Sequence, residues 1–414
     1  MSAATALTFG LSNSLSRIKL IRGVCAFALG LGIGWIGWGA DERIWHLGVL
    51  IALPICWGLT TTRASGWALC IGYFMAGTRG LPAGAVAFFG ESSPSWWGIA
   101  MWLSASLLLS VPFCLFWSRD LTRRAWGFLA ALLVTSLSPL GIIGWVSPIT
   151  VAGVLFPGAA WLGLLGCLVL FFFLASRNYR VWAFGLILAV GANFAAKDLE
   201  RSAPSGWSGR DTYFAGMWSG GSNQASQLLA SMERTQWLAA MVEQIGPGQT
   251  VVLPETLLGR WDGVIEGMLT DAEKSLKSKG SIVLVGAEVA NGNGGYKNAL
   301  IALGAREGEP RHAVQSLPVP ISMWKPWADN GADADFRGLG NTISVGQYTV
   351  GASICYEQLV LFSVLRLMLD APDVIAAVSN VWWASESNIP QIQHQSIGAF
   401  ARLFNIPVLF ARNT

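Results

Sequence analysis

Charge is scarce in this sequence. Asp, Glu, Lys and Arg make up 12% of its 414 residues, about half the share of an ordinary soluble domain. With 53% apolar residues and a mean hydropathy of +0.49, a fully soluble, disordered or nucleic-acid-coating protein is excluded. The net charge of +3 offers nothing to a polyanionic partner, so no nucleic acid is expected. Histidine is nearly absent: His46, His312 and His394 stand far apart with no ligand spacing, which argues against zinc and leaves no metal or cofactor to expect. Cysteine is too sparse for a disulfide framework. Cys25, Cys56, Cys70, Cys114 and Cys167 fall inside apolar runs, and Cys355 is the lone thiol of the charged half.

The few charges are unevenly placed. Residues 1–196 hold 11 Lys/Arg and 4 Asp/Glu, whereas residues 197–414 hold 16 and 20. The first part reads as a transmembrane domain of about seven helices, with apolar runs near 20–39, 45–61, 66–88, 96–117, 125–144, 158–175 and 181–196. Lys and Arg stay cytoplasmic in short loops. Arg17, Lys19 and Arg22, then Arg63, then Arg119, Arg123 and Arg124, then Arg177 and Arg180 occupy alternate loops, while the intervening ones carry Asp41, Glu42, Arg43 and Glu91. This places the N-terminus in the cytoplasm and the charged half outside the inner membrane, in a Gram-negative cell the periplasm. Arg79, beside Gly80-Leu81-Pro82, reads as the end of a helix at the outer interface. The segment Leu137–Pro157, broken by Pro139, Pro148 and Pro157, reads as non-helical backbone lining a cavity.

Residues 197–223 are expected to be a linker, and 224–414 a domain. Helical patterns at Gln224–Ile245, Gly263–Lys277, Leu361–Leu369 and Gln391–Phe404 alternate with apolar runs at Thr250–Leu253, Ser281–Val285, Ala299–Leu303, Tyr348–Ile354 and Val374–Val378. Strands alternating with helices indicate an α/β or layered domain. Two chemically capable residues stand just past buried strands, Glu255 and Cys355, where loops open while strands fix geometry. A thiol works as a nucleophile only as thiolate, which needs a base or a cation close by. Glu255 could take its proton, and a lysine could stabilise thiolate and oxyanion.

In order along the chain, Val251-Val252-Leu253-Pro254-Glu255-Thr256, Ser353-Ile354-Cys355-Tyr356-Glu357, Val378-Ser379-Asn380-Val381-Trp382-Trp383 and Ala411-Arg412-Asn413-Thr414 resemble the nitrilase (carbon–nitrogen hydrolase) superfamily. After a multi-span membrane half, the whole is similar to the apolipoprotein N-acyltransferases. The run Ser316–Pro326 looks closer to a plasmid branch of that superfamily, the conjugal transfer TraB proteins. The resemblance implies an αββα sandwich with a Glu-Lys-Cys triad: Glu255 as base, Cys355 as nucleophile, the backbone N–H of Tyr356 at the oxyanion, and Glu357 and Trp383 as supporting or substrate-binding residues. It further implies an acyl chain moved from a membrane phospholipid to an amine of a lipidated or peptide substrate, or an amidase, with conjugation-apparatus proteins as partners. The alternative is a fold kept as a non-catalytic scaffold of that apparatus. Three departures stand out. The lysine position aligns with Gln315, and Lys325 follows ten residues later, so either could fill the third place. Val381 replaces the usual aspartate. The sequence stops at Asn413-Thr414, which leaves either an incomplete sandwich or a shortened chain.

Overall fold

The structure is a computed structural model that describes residues 3–414 except 40, 90–93, 95, 197–201, 215–223, 307–310, 329–330, 337–340 and 385. Glu91 and both ends of the expected linker lie outside the described residues. The charge-poor half contains α1 (Ala3–Gly37), α2 (Ala52–Leu59), α3 (Arg63–Gly77), α4 (Leu81–Phe89), α5 (Trp97–Leu115), α6 (Leu121–Ser136), α7 (Ala152–Leu155), α8 (Ala160–Ala175) and α9 (Tyr179–Ala195). Two stretches among the described residues, Arg17–Gly37 and Trp97–Leu115, are long and apolar enough to cross a membrane; Ile44–Leu59, Ala160–Ala175 and Val181–Ala195 are apolar but shorter. The run expected as one span over 66–88 is two helices, α3 and α4. They part at Thr78–Gly80, where the Arg79 guanidinium donates to the carbonyls of Trp38, Ala76 and Gly39 at 2.8, 3.0 and 3.1 Å. A single cation thus satisfies carbonyls left open at two helix ends. The expected broken segment does line a cavity, through Ile143 and Trp145.

These helices are apolar on both faces. Leu170, Phe171 and Leu174 of α8 are buried while Leu162, Leu165 and Val169 are exposed, and α9 exposes Phe184, Ile187, Val190 and Phe194. Helices α1 and α3 approach through glycine: a Cβ on Gly30 would lie 1.9 Å from the Leu69 carbonyl oxygen, and one on Gly72 would lie 2.3 Å from that of Phe27. Close backbone approach of this kind is what small residues permit in apolar surroundings.

The charged half has two sheets. In the first, β1 (Trp207–Gly209), β2 (Thr250–Val252) and β4 (Ile282–Ala290) run parallel; β5 (Tyr296–Leu303) and β6 (His312–Val314) follow antiparallel, and the short β3 (Arg260–Trp261) pairs with the end of β4. In the second, β7 (Thr342–Val345) is antiparallel to β8 (Tyr348–Ile354), which is parallel to β9 (Val374–Asn380), itself parallel to β10 (Val408–Asn413). Alternation at period two sorts the side chains. Val252, Leu284, Leu300 and Ala302 face Val350, Ala352, Ile354, Ala376 and Val378 in a core between the sheets. Val251, Leu253, Val283 and Val285 point the other way onto α10 (Gln224–Glu243), α11 (Gly263–Met268) and α12 (Thr270–Lys279). Beyond the second sheet, α13 (Leu361–Leu369) and α14 (Ile389–Phe404) join Ile375 and Ala377 in one core with the helices of the charge-poor half.

The two halves are therefore packed together rather than merely tethered. Within the segment expected as a linker, Trp207–Gly209 adds an edge strand to the first sheet. The pattern expected as one helix over Gly263–Lys277 divides at Leu269, whereas Tyr348–Ile354 and Leu361–Leu369 take the expected bounds.

The α1–α3 contact generates a first prediction. Gly30→Val should force the two helices apart and lower stability by about 1–3 kcal/mol, read as a drop in melting temperature of the detergent-purified protein. An unchanged melting temperature would refute the close approach.

Candidate catalytic site

Segments from both sheets and from α14 converge where the two sheets end. Pro254 has no N–H to continue the β2 ladder, so the chain leaves the sheet and delivers Glu255, with Thr256 at φ +55°. Beneath it β4 has to carry glycine, since a Cβ on Gly286 would lie 2.5 Å from the Glu255 Cα. From the opposite sheet, β8 runs into Cys355 at φ +50°, a left-handed conformation that costs a non-glycine residue on the order of 1–3 kcal/mol. Surrounding bonds hold it there: Gln358 Nε2 donates to the carbonyls of Ser353 and Val378 at 2.9 and 3.0 Å, and Gln393 Nε2 of α14 donates to the Cys355 carbonyl at 3.0 Å.

Glu255 and Cys355 are both buried, and each stands close enough to shift the other's ionisation. Asn298 Nδ2 donates to Glu255 Oε1 at 2.5 Å and the Asn380 backbone N–H to Oε2 at 3.0 Å. Burial lifts the Glu255 carboxyl to about 7, against the opposing pull of these donors. Burial first, then the negative charge and hydrogen bond of Glu255, push the Cys355 thiol well above its usual range. At rest the pair is a protonated thiol facing a carboxyl poised near neutrality, the condition in which a base takes up a proton efficiently as the sulfur attacks.

Gln315 also lies here. Its Oε1 accepts from Asn298 Nδ2 at 3.2 Å and its Nε2 donates to the Ile354 carbonyl at 2.8 Å. Lys325, the other residue considered for the third place, is half-buried in the loop after β6. It is not among the groups that act on Glu255 or Cys355. Glu357 does not face the thiol's base; it accepts from the N–H groups of Ser316 and Leu317 and from Asn341 Nδ2 on one oxygen and from the Ile354 N–H on the other, at 2.8, 3.2, 2.8 and 3.1 Å. It pins the loop after Gln315 to the end of β8. Burial raises its carboxyl to about 7 as well.

A cavity of about 360 Å³ opens from the thiol. Cys355, Tyr356, Trp383 and Gln393 line it together with Leu81, Ala85 and Phe88 of α4, Met101, Ala105 and Leu108 of α5, and residues from the segments around Trp145 and Pro320. Tyr356 turns its ring to Trp145 at 5.7 Å and its hydroxyl to the Ile142 carbonyl at 2.9 Å. Trp383 packs edge-on against Phe88 at 5.0 Å and donates to the Asn380 carbonyl at 2.8 Å. A largely apolar lining with a few polar groups is the character of a small-molecule pocket. Among the described residues no group of three or more His, Cys, Asp or Glu is placed to hold a metal ion.

Sequence reasoning passed over Asn298 and Gln393, and named Asn380 only as part of a motif, without a role. Asn298 carried a signal, a polar amide at the head of the apolar run Ala299–Leu303. Gln393 carried none, because only the docking of α14 brings it to Cys355.

No family profile matches the chain. It is 34% identical over 392 residues, 92% of its own length and 96% of the relative's, to the probable conjugal transfer protein TraB of Sinorhizobium fredii. It is 32% identical over 410 residues, 93% of its length and 91% of the relative's, to the conjugal transfer protein TraB of Agrobacterium fabrum.

The two raised carboxyls give stability a pH dependence. Each binds its proton more tightly folded than unfolded, so their contribution is full below about pH 4.5 and is lost as pH rises through about 7. The change is on the order of 3 kcal/mol per carboxyl. Thermal melts should fall from pH 5 to pH 7.5, and Glu255→Gln should flatten that slope; an equally steep slope in the variant would show that Glu255 ionises freely in the folded protein.

Proposed function

Because the chain belongs to the family of conjugal transfer TraB proteins, we propose that it serves conjugal transfer as a membrane-embedded, nitrilase-type thiol acyltransferase or amidase. One observation carries this reading: a buried thiol beside a carboxyl poised near neutrality lines an apolar cavity walled in part by α4 and α5. The helix–sheet–sheet–helix layering and the Glu255–Cys355 pairing across two strand ends support the nitrilase assignment.

In the first step Glu255 takes the thiol proton while Sγ bonds to the carbonyl carbon of a phospholipid ester or a lipidated or peptide amide. The tetrahedral oxyanion forms beside the Tyr356 N–H, and stabilisation there is usually the largest single contribution to such catalysis. Its collapse breaks the bond to the alcohol or amine, which leaves with the proton returned by Glu255, and an acyl-thioester remains on Cys355. An amine, or water in an amidase, then attacks the thioester and gives its proton to Glu255. The sulfur departs and is reprotonated. Gln315 occupies the third place in this scheme as a neutral hydrogen-bonding group.

Helices apolar on every face support a multi-pass membrane half, since an exposed apolar surface of this extent needs lipid or a partner to cover it. The loop charges support a cytoplasmic N-terminus and a periplasmic domain, reachable by conjugation-apparatus proteins. Reporter fusion at Ser205 should give periplasmic alkaline-phosphatase activity; cytoplasmic fluorescence there would overturn the orientation.

The absence of a cation among the groups acting on the thiol favours a second reading, a scaffold of the conjugation apparatus that has lost its chemistry. Intact-protein mass spectrometry of membrane-purified protein separates the two. The enzymatic reading expects an acyl adduct on Cys355 that disappears in Cys355→Ser together with conjugal transfer, since a serine hydroxyl hardly ionises near neutral pH. It also expects Lys325→Ala to leave the adduct in place. A Cys355→Ser protein with full transfer activity would make the scaffold the function.

A further inference from the structure

Asn298 lies on β5, where the alternate residues Leu300 and Ala302 fill the core between the sheets. Period two puts Asn298 on that same face, one step nearer the strand ends, and it is 1% exposed. An amide so placed is costly unless hydrogen-bonded. Its Oδ1 has no partner among the described residues, whereas its Nδ2 serves two acceptors, Glu255 Oε1 and Gln315 Oε1. The Gln315 amide passes the connection on to the carbonyl of Ile354, the residue before the nucleophile.

The direction of this chain is fixed from its far end. A backbone carbonyl can only accept, so Gln315 turns its NH2 to Ile354 and its oxygen to Asn298. Asn298 then turns its NH2 to Gln315, and the second hydrogen on the same nitrogen points at Glu255. Flipping either amide would set two oxygens against each other. Oε1 of Glu255 therefore meets a donor and Oε2 meets the Asn380 N–H, while the neighbouring thiol stands within reach to act on its ionisation. Among the described residues the titratable groups that act on Glu255 or are acted on by it are Cys355 past β8, Glu288 on β4 and Tyr296 on β5; none of these supplies a positive charge.

We propose that Asn298 is a positioning residue for the base: anchored through Gln315 on the carbonyl next to Cys355, it holds the Glu255 carboxylate as a proton acceptor facing the thiol, the part a cation would otherwise play. The proposal rests on the acyl-transfer reading of the site and adds to it the residue that makes a lysine-free pair workable.

The test is the pH dependence of Cys355 alkylation by iodoacetamide in the full-length, detergent-purified protein, followed on the Cys355 peptide by mass spectrometry. In the unaltered protein the rate should rise through the lower midpoint of the coupled Glu255–Cys355 pair, near neutrality. Asn298→Leu removes a charge-assisted bond and should move that midpoint upward by roughly one to two pH units. Asn298→Asp keeps the shape but faces Glu255 with a second carboxyl, and should move it the same way; it decides the matter alone if the Leu variant does not fold. A midpoint unmoved in the folded variants, with only the rate altered, would reduce Asn298 to packing and overturn the proposal. The acyl-adduct measurement is independent: a moved midpoint without any adduct sustains Asn298 and removes acyl transfer, while an adduct with a fixed midpoint does the reverse.

Discussion

A carboxyl group kept between two β-sheets is expensive, and most of what surrounds Glu255 answers that cost. Removed from water, the group would stay protonated far above the usual carboxylate range; the neighbouring Cys355 and the N–H donors of Asn298 and Asn380 hold it at about 7. Each donor depends on a different piece of the fold. Asn380 ends β9, and its side-chain oxygen accepts from Asn413 at the end of β10. Asn413 in turn bonds Thr212 and Phe214, beyond β1. The base is thus supported from both sheets and from both flanks of the domain.

Cys355 depends on a different structure, the helix α14. Gln393 reaches the Cys355 carbonyl, while on the same helix Gln395 accepts from the Gly39 N–H and donates to the Arg43 carbonyl. Asn388, just before the helix, donates to the Gly77 carbonyl at the end of α3. Arg412 on β10 pairs with Glu42. The same elements that shape the thiol's surroundings clamp the charge-poor half against the domain, which is why an apolar cavity can begin at the sulfur and end among α4 and α5.

Glu357 shows how a second buried carboxyl differs from the first. With four N–H donors from three segments, its oxygens hold loop geometry. Glu255 keeps room for the thiol. Identical chemistry serves two purposes because one carboxyl has its acceptor sites filled by the protein and the other does not.

Much of this was legible in the sequence. The division into a charge-poor and a charged half followed from counts alone, because burying charge in lipid or in a core is costly wherever it occurs. Buried strands such as Tyr348–Ile354 were readable because both of their faces are apolar, and Glu255 and Cys355 because they interrupt such runs. Short strands escaped notice: Trp207–Gly209, His312–Val314 and Thr342–Val345 are too brief to set a period and are fixed by their neighbours' open hydrogen bonds. The break at Arg79 was visible in its Gly/Pro neighbours, but not that the guanidinium caps two helix ends. The partners of Glu255 were beyond one-dimensional reading for a simple reason. Asn298 and Asn380, like Gln393 beside Cys355, are ordinary amides in the sequence, and an amide acquires a role only from the acceptor it meets. Composition and periodicity determined which residues would be buried and which two could react; only the meeting of two sheets and the docking of α14 decided which neutral groups would stand around them.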